Sequence, residues 1–265
     1  PATLAALRGA APARRARSGV GVGGWGWAPR PLPDRRMEVD VGSATAALFE
    51  DDAPVLRMRI VVGDKAHPTP MLASQLEAVV LNPPWNVPAS IAQGEILPQA
   101  ARDPGYLARH NYVSVDGRLQ QRPGPDNALG QVKFDLPSPF GVYLHDTPAR
   151  AAFARAVRTL SHGCMRLEKP RELAERLLGG QGWDRAAIDS AIATGETQRI
   201  GLSEATPLVV TYRTAFVDET GLHLLPDPYG WDAQLARALA TDDLAAWLSQ
   251  STASECEAAG SQALL

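Results

Sequence analysis

A chain of 265 residues, 45% hydrophobic and 21% charged, is long enough for one large domain, with or without a small subdomain, and apolar enough to bury a core. Its formal net charge of −3, with no acidic or basic block in the body, argues against nucleic acid as the main partner. No apolar run approaches the ~20 residues of a membrane helix, so membrane association is not evident. Two widely spaced cysteines, Cys164 and Cys256, make neither a disulfide framework nor a four-sulfur metal site.

Residues 1–36 read as a linker or the remnant of an upstream domain, because Gly and Pro in Gly19–Pro33 interrupt any regular element. Trp25 and Trp27 are expected to pack on a domain edge. The start at Pro1 reads as a fragment or processed form. From Met37 the texture changes. Met37–Val41, Thr45–Phe49 and Val55–Val62 read as strands joined by turn residues, which suggests antiparallel pairing. Met71–Leu81 reads as a further strand, although its middle tolerates helix.

Residues 82–127 are Pro-rich and hold two helix-like pieces, Ala89–Leu97 and Tyr106–His110. A run this long between strands is a lid or an inserted subdomain, since structureless loops beyond ~15 residues are uncommon. Gln131–Leu136 and Phe140–Asp146 then read as strands. Thr147-Pro148 is a helix start, an N-cap hydroxyl followed by proline, and predicts a helix over Ala149–Thr159 with Phe153 and Val157 on one face. Met165–Leu167 is extended. Helices follow at Arg171–Leu178 and Trp183–Ala193, then strands at Thr197–Leu202, Leu208–Phe216 and Leu222–Leu225, with a hairpin turn at Asp218–Gly221. Asp232–Leu248 reads as a last helix before a loose tail. The class is α+β, a β-rich mixed sheet with flanking helices.

The chemistry-bearing residues gather between Gly141 and Pro170. His145 ends a strand, and Ser161-His162-Gly163-Cys164 closes the stretch. A thiol becomes a nucleophile as its thiolate, and a histidine at hydrogen-bond distance can take the proton. His162 is two residues before Cys164 and on the same face of an extended segment. His145 rides on a strand, which suits a general base better than a place within the nucleophile's own turn. Gly163 permits close backbone approach, so that its N–H and that of Cys164 face a developing oxyanion. Arg166 shares the face of Cys164 and is suited to clamp a substrate carboxylate, with a salt bridge to Glu168 or Asp146 as the bland alternative. His67 and His110 read as surface residues. The residues alone leave a second reading open, in which Cys164 is a small buried apolar side chain.

GVYLHDTP (residues 141–148) followed by SHGCMRLEKP (residues 161–170) resembles the signature of YkuD-type L,D-transpeptidase catalytic domains, particularly the large YcbB-like members. Residues 59–98, 123–148 and the segment TAFVDETG (residues 214–221) add to the likeness, which covers roughly residues 37–232. The resemblance implies a YkuD-like sandwich over 37–232, with a capping insertion at about 82–127 and a C-terminal helix and tail at 233–265. It implies Cys164 as nucleophile and His145 as base, the imidazole held by a backbone carbonyl or by Asp146. Gly163, Cys164 and Tyr143 would lie at the oxyanion site, with His162 in a supporting role. Arg166, Trp85 and Asn86 would meet the substrate, the last two from the cap. The implied partners are peptidoglycan stem peptides, a tetrapeptide donor and a diaminopimelate acceptor. The implied location is outside the inner membrane, with no cofactor, no metal and sensitivity to carbapenems. Two competing readings use the same residues. One is an L,D-carboxypeptidase in which water replaces the acceptor amine; the other is a zinc-binding module built on His145, His162 and Cys164 with His67 or His110. A degenerate wall-binding domain is disfavoured, because the whole reactive motif is present.

Overall fold

The computed structural model describes residues 31–218 and 221–240, which form two compact units. Within the described residues, the first comprises 31–74, 157–163 and 207–240, and the second 75–156 and 164–206. The expectations for Trp25, Trp27, Cys256 and the tail lie outside the described residues. So do the tip of the turn before Gly221 and the end of the last helix.

In the first unit β1 (Arg36–Asp40) and β2 (Thr45–Glu50) pair antiparallel, and β2 pairs antiparallel with β3 (Ala53–Gly63). Asp51 and Asp52 join β2 to β3 with both φ angles positive, at 49° and 60°. That is the mirror-image turn whose twist matches a two-residue hairpin. β3 alternates buried Leu56, Met58 and Ile60 with exposed Arg57 and Arg59, then becomes wholly buried from Ile60 to Gly63. Two pairings depart from the antiparallel expectation. β1 runs parallel to the end of β12 (Gln198–Thr211), and β10 (Thr159–Ser161) runs parallel to β3. The hairpin of β13 (Ala215–Asp218) and β14 (Gly221–Leu224) and a final helix (Trp231–Ala240) complete this unit.

The second unit is built on β4 (Leu72–Leu81, from Gln75 onward), β8 (Val132–Asp135), β9 (Leu144–His145) and β11 (Met165–Leu167). β4–β8 and β8–β9 are antiparallel, while β9–β11 is parallel. Phe134, Leu144, Met165 and Leu167 are fully buried in its core, as are Leu173 and Leu178 of the helix Pro170–Leu178 and Ile188 of the helix Arg185–Ala193. Proline opens the first of these helices, and Asp184 caps the second by accepting from Ala187 N at 2.8 Å. Asn82, at φ 47°, donates to the carbonyls of Ala191, Ile192 and Glu196 and so closes that helix's C-terminal end.

The Pro-rich insertion is ordered as a small subdomain of its own. β5 (Trp85–Asn86), β7 (Arg118–Gln121) and β6 (Tyr112–Val115) form a three-stranded sheet. Against it lies a helical run, Ala89–Ile91, a π-helical Ala92–Ile96 and Leu97–Arg102, followed by Tyr106–Arg109. Val87, Ala92 and Ile96 are its core.

The helix expected over Ala149–Thr159 does not form. Only a 3-10 turn, Arg150–Ala154, is present, and Arg155 is already extended. The alanine content favours helix only weakly. Phe153 is buried, but its intended facemate Val157 is 66% exposed, so no apolar stripe supports a longer helix. Thr147 Oγ1 does accept from Ala149 N, at 3.2 Å, and turns the chain without continuing a helix.

Candidate active site

His145 sits at the end of a two-residue strand and is 4% exposed. Its Nδ1 lies 2.5 Å from the carbonyl oxygen of Asp146. A carbonyl only accepts, so Nδ1 carries the hydrogen and Nε2 keeps its lone pair. Burial, and next the positive charge of Arg166, pull the imidazole pKa down to about 3; Lys133 acts in the same direction, and the carbonyls of Asp146 and Leu129 oppose it. His145 is therefore a neutral base at any ordinary pH.

The resemblance left open how Asp146 serves that ring, and the geometry divides the residue in two. Its carbonyl holds the imidazole, while its carboxylate points away from it. Oδ2 accepts from Gln131 N at 3.0 Å and Oδ1 from Arg150 at 3.3 Å. Arg150 also donates to the carbonyls of Leu167 and Glu168, tying the base's strand to the strand that follows Cys164. Gly130, at φ 62°, makes this approach possible: a Cβ there would stand 2.5 Å from the Asp146 carboxylate. Asp146, Arg150 and Gln131 line a 390 Å³ pocket together with Gly130.

Cys164 is half-buried, forms no disulfide and enters β11 directly. The parallel register sets Arg166 opposite His145, and Met165 N donates to Tyr143 O at 3.0 Å. Cys164 is two residues before Arg166 and Tyr143 two before His145, so all four positions share the face opposite the core residues Leu144 and Met165. The Tyr143 ring meets His145 edge-on at 5.6 Å, and Lys133 Nζ lies over that ring at 4.7 Å. The Arg166 Nε is buried without an acceptor among the described residues. Burial lowers the guanidinium's pKa, and the neighbouring Cys164 and Glu95 act in the opposite direction.

The turn before the cysteine belongs to the first unit. Gly163 has φ 104°, and its N–H, expected to face an oxyanion, is instead donated to Ser161 Oγ at 3.2 Å. Its carbonyl accepts from Thr69 Oγ1 at 2.8 Å, and that buried hydroxyl accepts from Gly63 N at 2.8 Å. His162 lies ring to ring with His67 at 4.7 Å, and His67 Nδ1 is 3.1 Å from Asp64 Oδ1. His67 thus lies at the surface, as expected, with its side chain 43% exposed, but it has a partner in Asp64. His110 packs on Tyr106 at 4.4 Å. Among the described residues, no three His, Cys, Asp or Glu side chains are grouped to hold a metal.

In the insertion, Trp85 packs toward Tyr112 at 6.5 Å and against the Val87 cluster. Asn86 Oδ1 accepts from Gln120 Nε2 at 2.7 Å. Sequence reasoning missed Lys133, Arg150, Gly130 and Thr69. Lys133 had a legible signal, an alternating strand ending in turn residues just before His145's strand. The other three depend on contacts that no local pattern encodes.

A thiol entering one strand and a neutral, tautomer-fixed imidazole on the next are the components of nucleophilic acyl transfer. Residues 34–210 match YkuD, the L,D-transpeptidase catalytic domain, and the chain belongs to that family. A Haemophilus influenzae protein named "Putative L,D-transpeptidase" is 34% identical over 227 residues, covering 78% of this chain and 46% of its own length. The chain thus spans about half of that relative. Among solved structures, an L,D-transpeptidase from Mycobacterium smegmatis is similar at 15% identity and TM-score 0.36, over 67% of this chain and 58% of the other. The ertapenem-acylated catalytic domain of the E. faecium L,D-transpeptidase is similar at 14% identity and TM-score 0.35, over 68% of this chain and 98% of the other. No described helix is long and apolar enough to cross a membrane.

Proposed function

We propose that the protein is a peptidoglycan L,D-transpeptidase of the large YcbB-like subgroup, forming 3→3 cross-links through a thioester on Cys164. The reading is carried by one observation: His145, with Nδ1 committed to the Asp146 carbonyl, presents its Nε2 lone pair from the strand beside the one that Cys164 enters. Nε2 takes the thiol proton, and the thiolate attacks the carbonyl joining diaminopimelate to the terminal D-alanine of a stem tetrapeptide. The C–N bond breaks, the D-alanine amine leaves with the proton held by His145, and a thioester remains. A neutral diaminopimelate amine of a second stem then attacks. Its proton passes to His145 and on to the departing sulfur, which restores the thiol.

The Cys164 N–H and the Tyr143 hydroxyl serve the oxyanion, Gly163 shapes the turn, and His162 supports it. Arg166, with its unspent Nε donor, takes a carboxylate of the donor stem. Trp85 and Asn86 present the cap to that stem, Trp85 as packed framework and Asn86 through its amide nitrogen. Residues 37–232 would be the catalytic domain and 82–127 its cap. The substrate places the enzyme in the periplasm, outside the inner membrane, where carbapenems would acylate the same sulfur. Incubation with a disaccharide-tetrapeptide tests this by mass. Expected are D-alanine release, a Cys164 adduct and a 3→3 dimer, all lost in Cys164→Ala. Tripeptide without dimer would reassign the protein as an L,D-carboxypeptidase.

A further inference from the structure

Three neighbouring strands of the second unit each place one ionisable side chain in a single row. Lys133 on β8 is opposite His145 on β9, and His145 is opposite Arg166 on β11. Directly opposed residues project to the same face. The alternate positions Phe134, Leu144 and Met165 fill the core on the other side. Strands lie ~4.8 Å apart, so the two cationic positions stand about 10 Å apart with the base between them. Lys133 keeps 26% of its side chain exposed and rests over the Tyr143 ring. Its contact with Asp135, at 2.8 Å, is shared with Arg199 at 2.9 Å. Arg199 therefore leaves that carboxylate paired when the lysine turns to a ligand.

The order of the row matters. A base that takes the nucleophile's proton and gives it to the leaving amine must reach both from one ring nitrogen, so the leaving amino acid stays within a few ångströms of His145. Cys164 enters β11, on one flank of His145, and the cation on the other flank, nearest the base, is Lys133 of β8. In a D-amino acid the leaving amine is one carbon from a carboxylate. We propose that Lys133 anchors the carboxylate of the leaving D-amino acid and makes the site selective for donors with a free terminal carboxylate. This rests on the acyl-transfer reading above and adds to it a residue with an assigned ligand.

A charge-assisted bond of this kind is worth roughly 10- to 100-fold in kcat/KM. The test compares two donors, a disaccharide-tetrapeptide ending in D-alanine and the same compound ending in D-alaninamide. Both are turned over by wild type, Lys133→Met and Lys133→Arg, with the released amino acid and the Cys164 thioester followed by mass. Wild type should prefer the free carboxylate by that factor. Lys133→Met should erase the preference by slowing only the free-carboxylate donor, and Lys133→Arg should keep it. Equal turnover of both donors by wild type overturns the assignment even if Lys133→Met does not fold. Equal slowing of both donors by Lys133→Met also overturns it, since a lysine that only keeps His145 neutral cannot tell the donors apart. Absence of any thioester in wild type removes the acyl-transfer reading and this inference with it.

Discussion

A neutral His145 has a thermodynamic signature that needs no substrate. The folded-state pKa of about 3 lies far below the ordinary value of 6.5, chiefly through burial and then through Arg166. Between those two values the unfolded chain binds a proton that the folded chain does not. The contribution to stability is therefore complete above about pH 6.5 and is lost as pH falls toward 3. At ~1.4 kcal/mol per unit the full span is worth about 5 kcal/mol, and roughly 3 kcal/mol of it is gone by pH 4. His145→Asn keeps a side-chain amide N–H where Nδ1 donates to Asp146 and removes the titration. Urea unfolding of wild type and His145→Asn at pH 7 and pH 4 isolates the effect, because carboxylates common to both proteins cancel in the difference. Wild type should lose roughly 3 kcal/mol more than the variant over that interval. Parallel losses would refute the reasoning, because a histidine that titrates near its ordinary pKa gives no such difference.

Three further outcomes follow from the same geometry. Gly130→Ala places a methyl 2.5 Å from the Asp146 carboxylate at φ 62°, so a thermal melt should show a loss of roughly 2–3 kcal/mol and acylation of Cys164 by a carbapenem should slow. Thr69→Val, at a fully buried position, leaves Gly63 N and Gly163 O without their side-chain partner; about 2 kcal/mol should be lost in urea titration, with slower acylation as the turn loosens. Arg166→Met removes a buried charge whose Nε has no acceptor, so it should stabilise the fold by about 1–2 kcal/mol while donor kcat/KM falls at least ~10-fold; a loss of stability would mean that the arginine holds the fold rather than a ligand.

The strands that frame the site were legible because alternation and turn chemistry are local. β1, β2 and β3 follow their apolar pattern, and the helices Pro170–Leu178 and Arg185–Ala193 follow their start signals. The hairpin of β6 and β7 was equally local: Asp116-Gly117, with φ angles of 50° and 75°, is a strong turn signal between two short strands, and it was overlooked. The missing helix after Thr147 is different in kind. A capped, Ala-rich segment has real helical preference, but Arg150 is drawn to Asp146 and to the carbonyls of Leu167 and Glu168, and the chain must reach β10 in extended form. The split role of Asp146 was also beyond local reading, because it depends on Gln131 N and on the close approach at Gly130.

These non-local contacts answer a problem that the sheet itself creates. A strand of two residues has little ladder to fix its register, and a slip of one residue would turn His145 into the core and Leu144 onto the site. Leu144 favours the native setting, since it is fully buried beside Phe134 and Met165. The rest comes from the residues at either end of the strand. Tyr143 O accepts from Met165 N, Asp146 N donates to Val132 O at 2.8 Å, and the Asp146 carboxylate is held by Gln131 and Arg150. Because Asp146 also supplies the carbonyl that fixes the imidazole tautomer, the contacts that set the register are those that orient the base. Loosening the carboxylate should therefore disturb proton transfer before it disturbs folding.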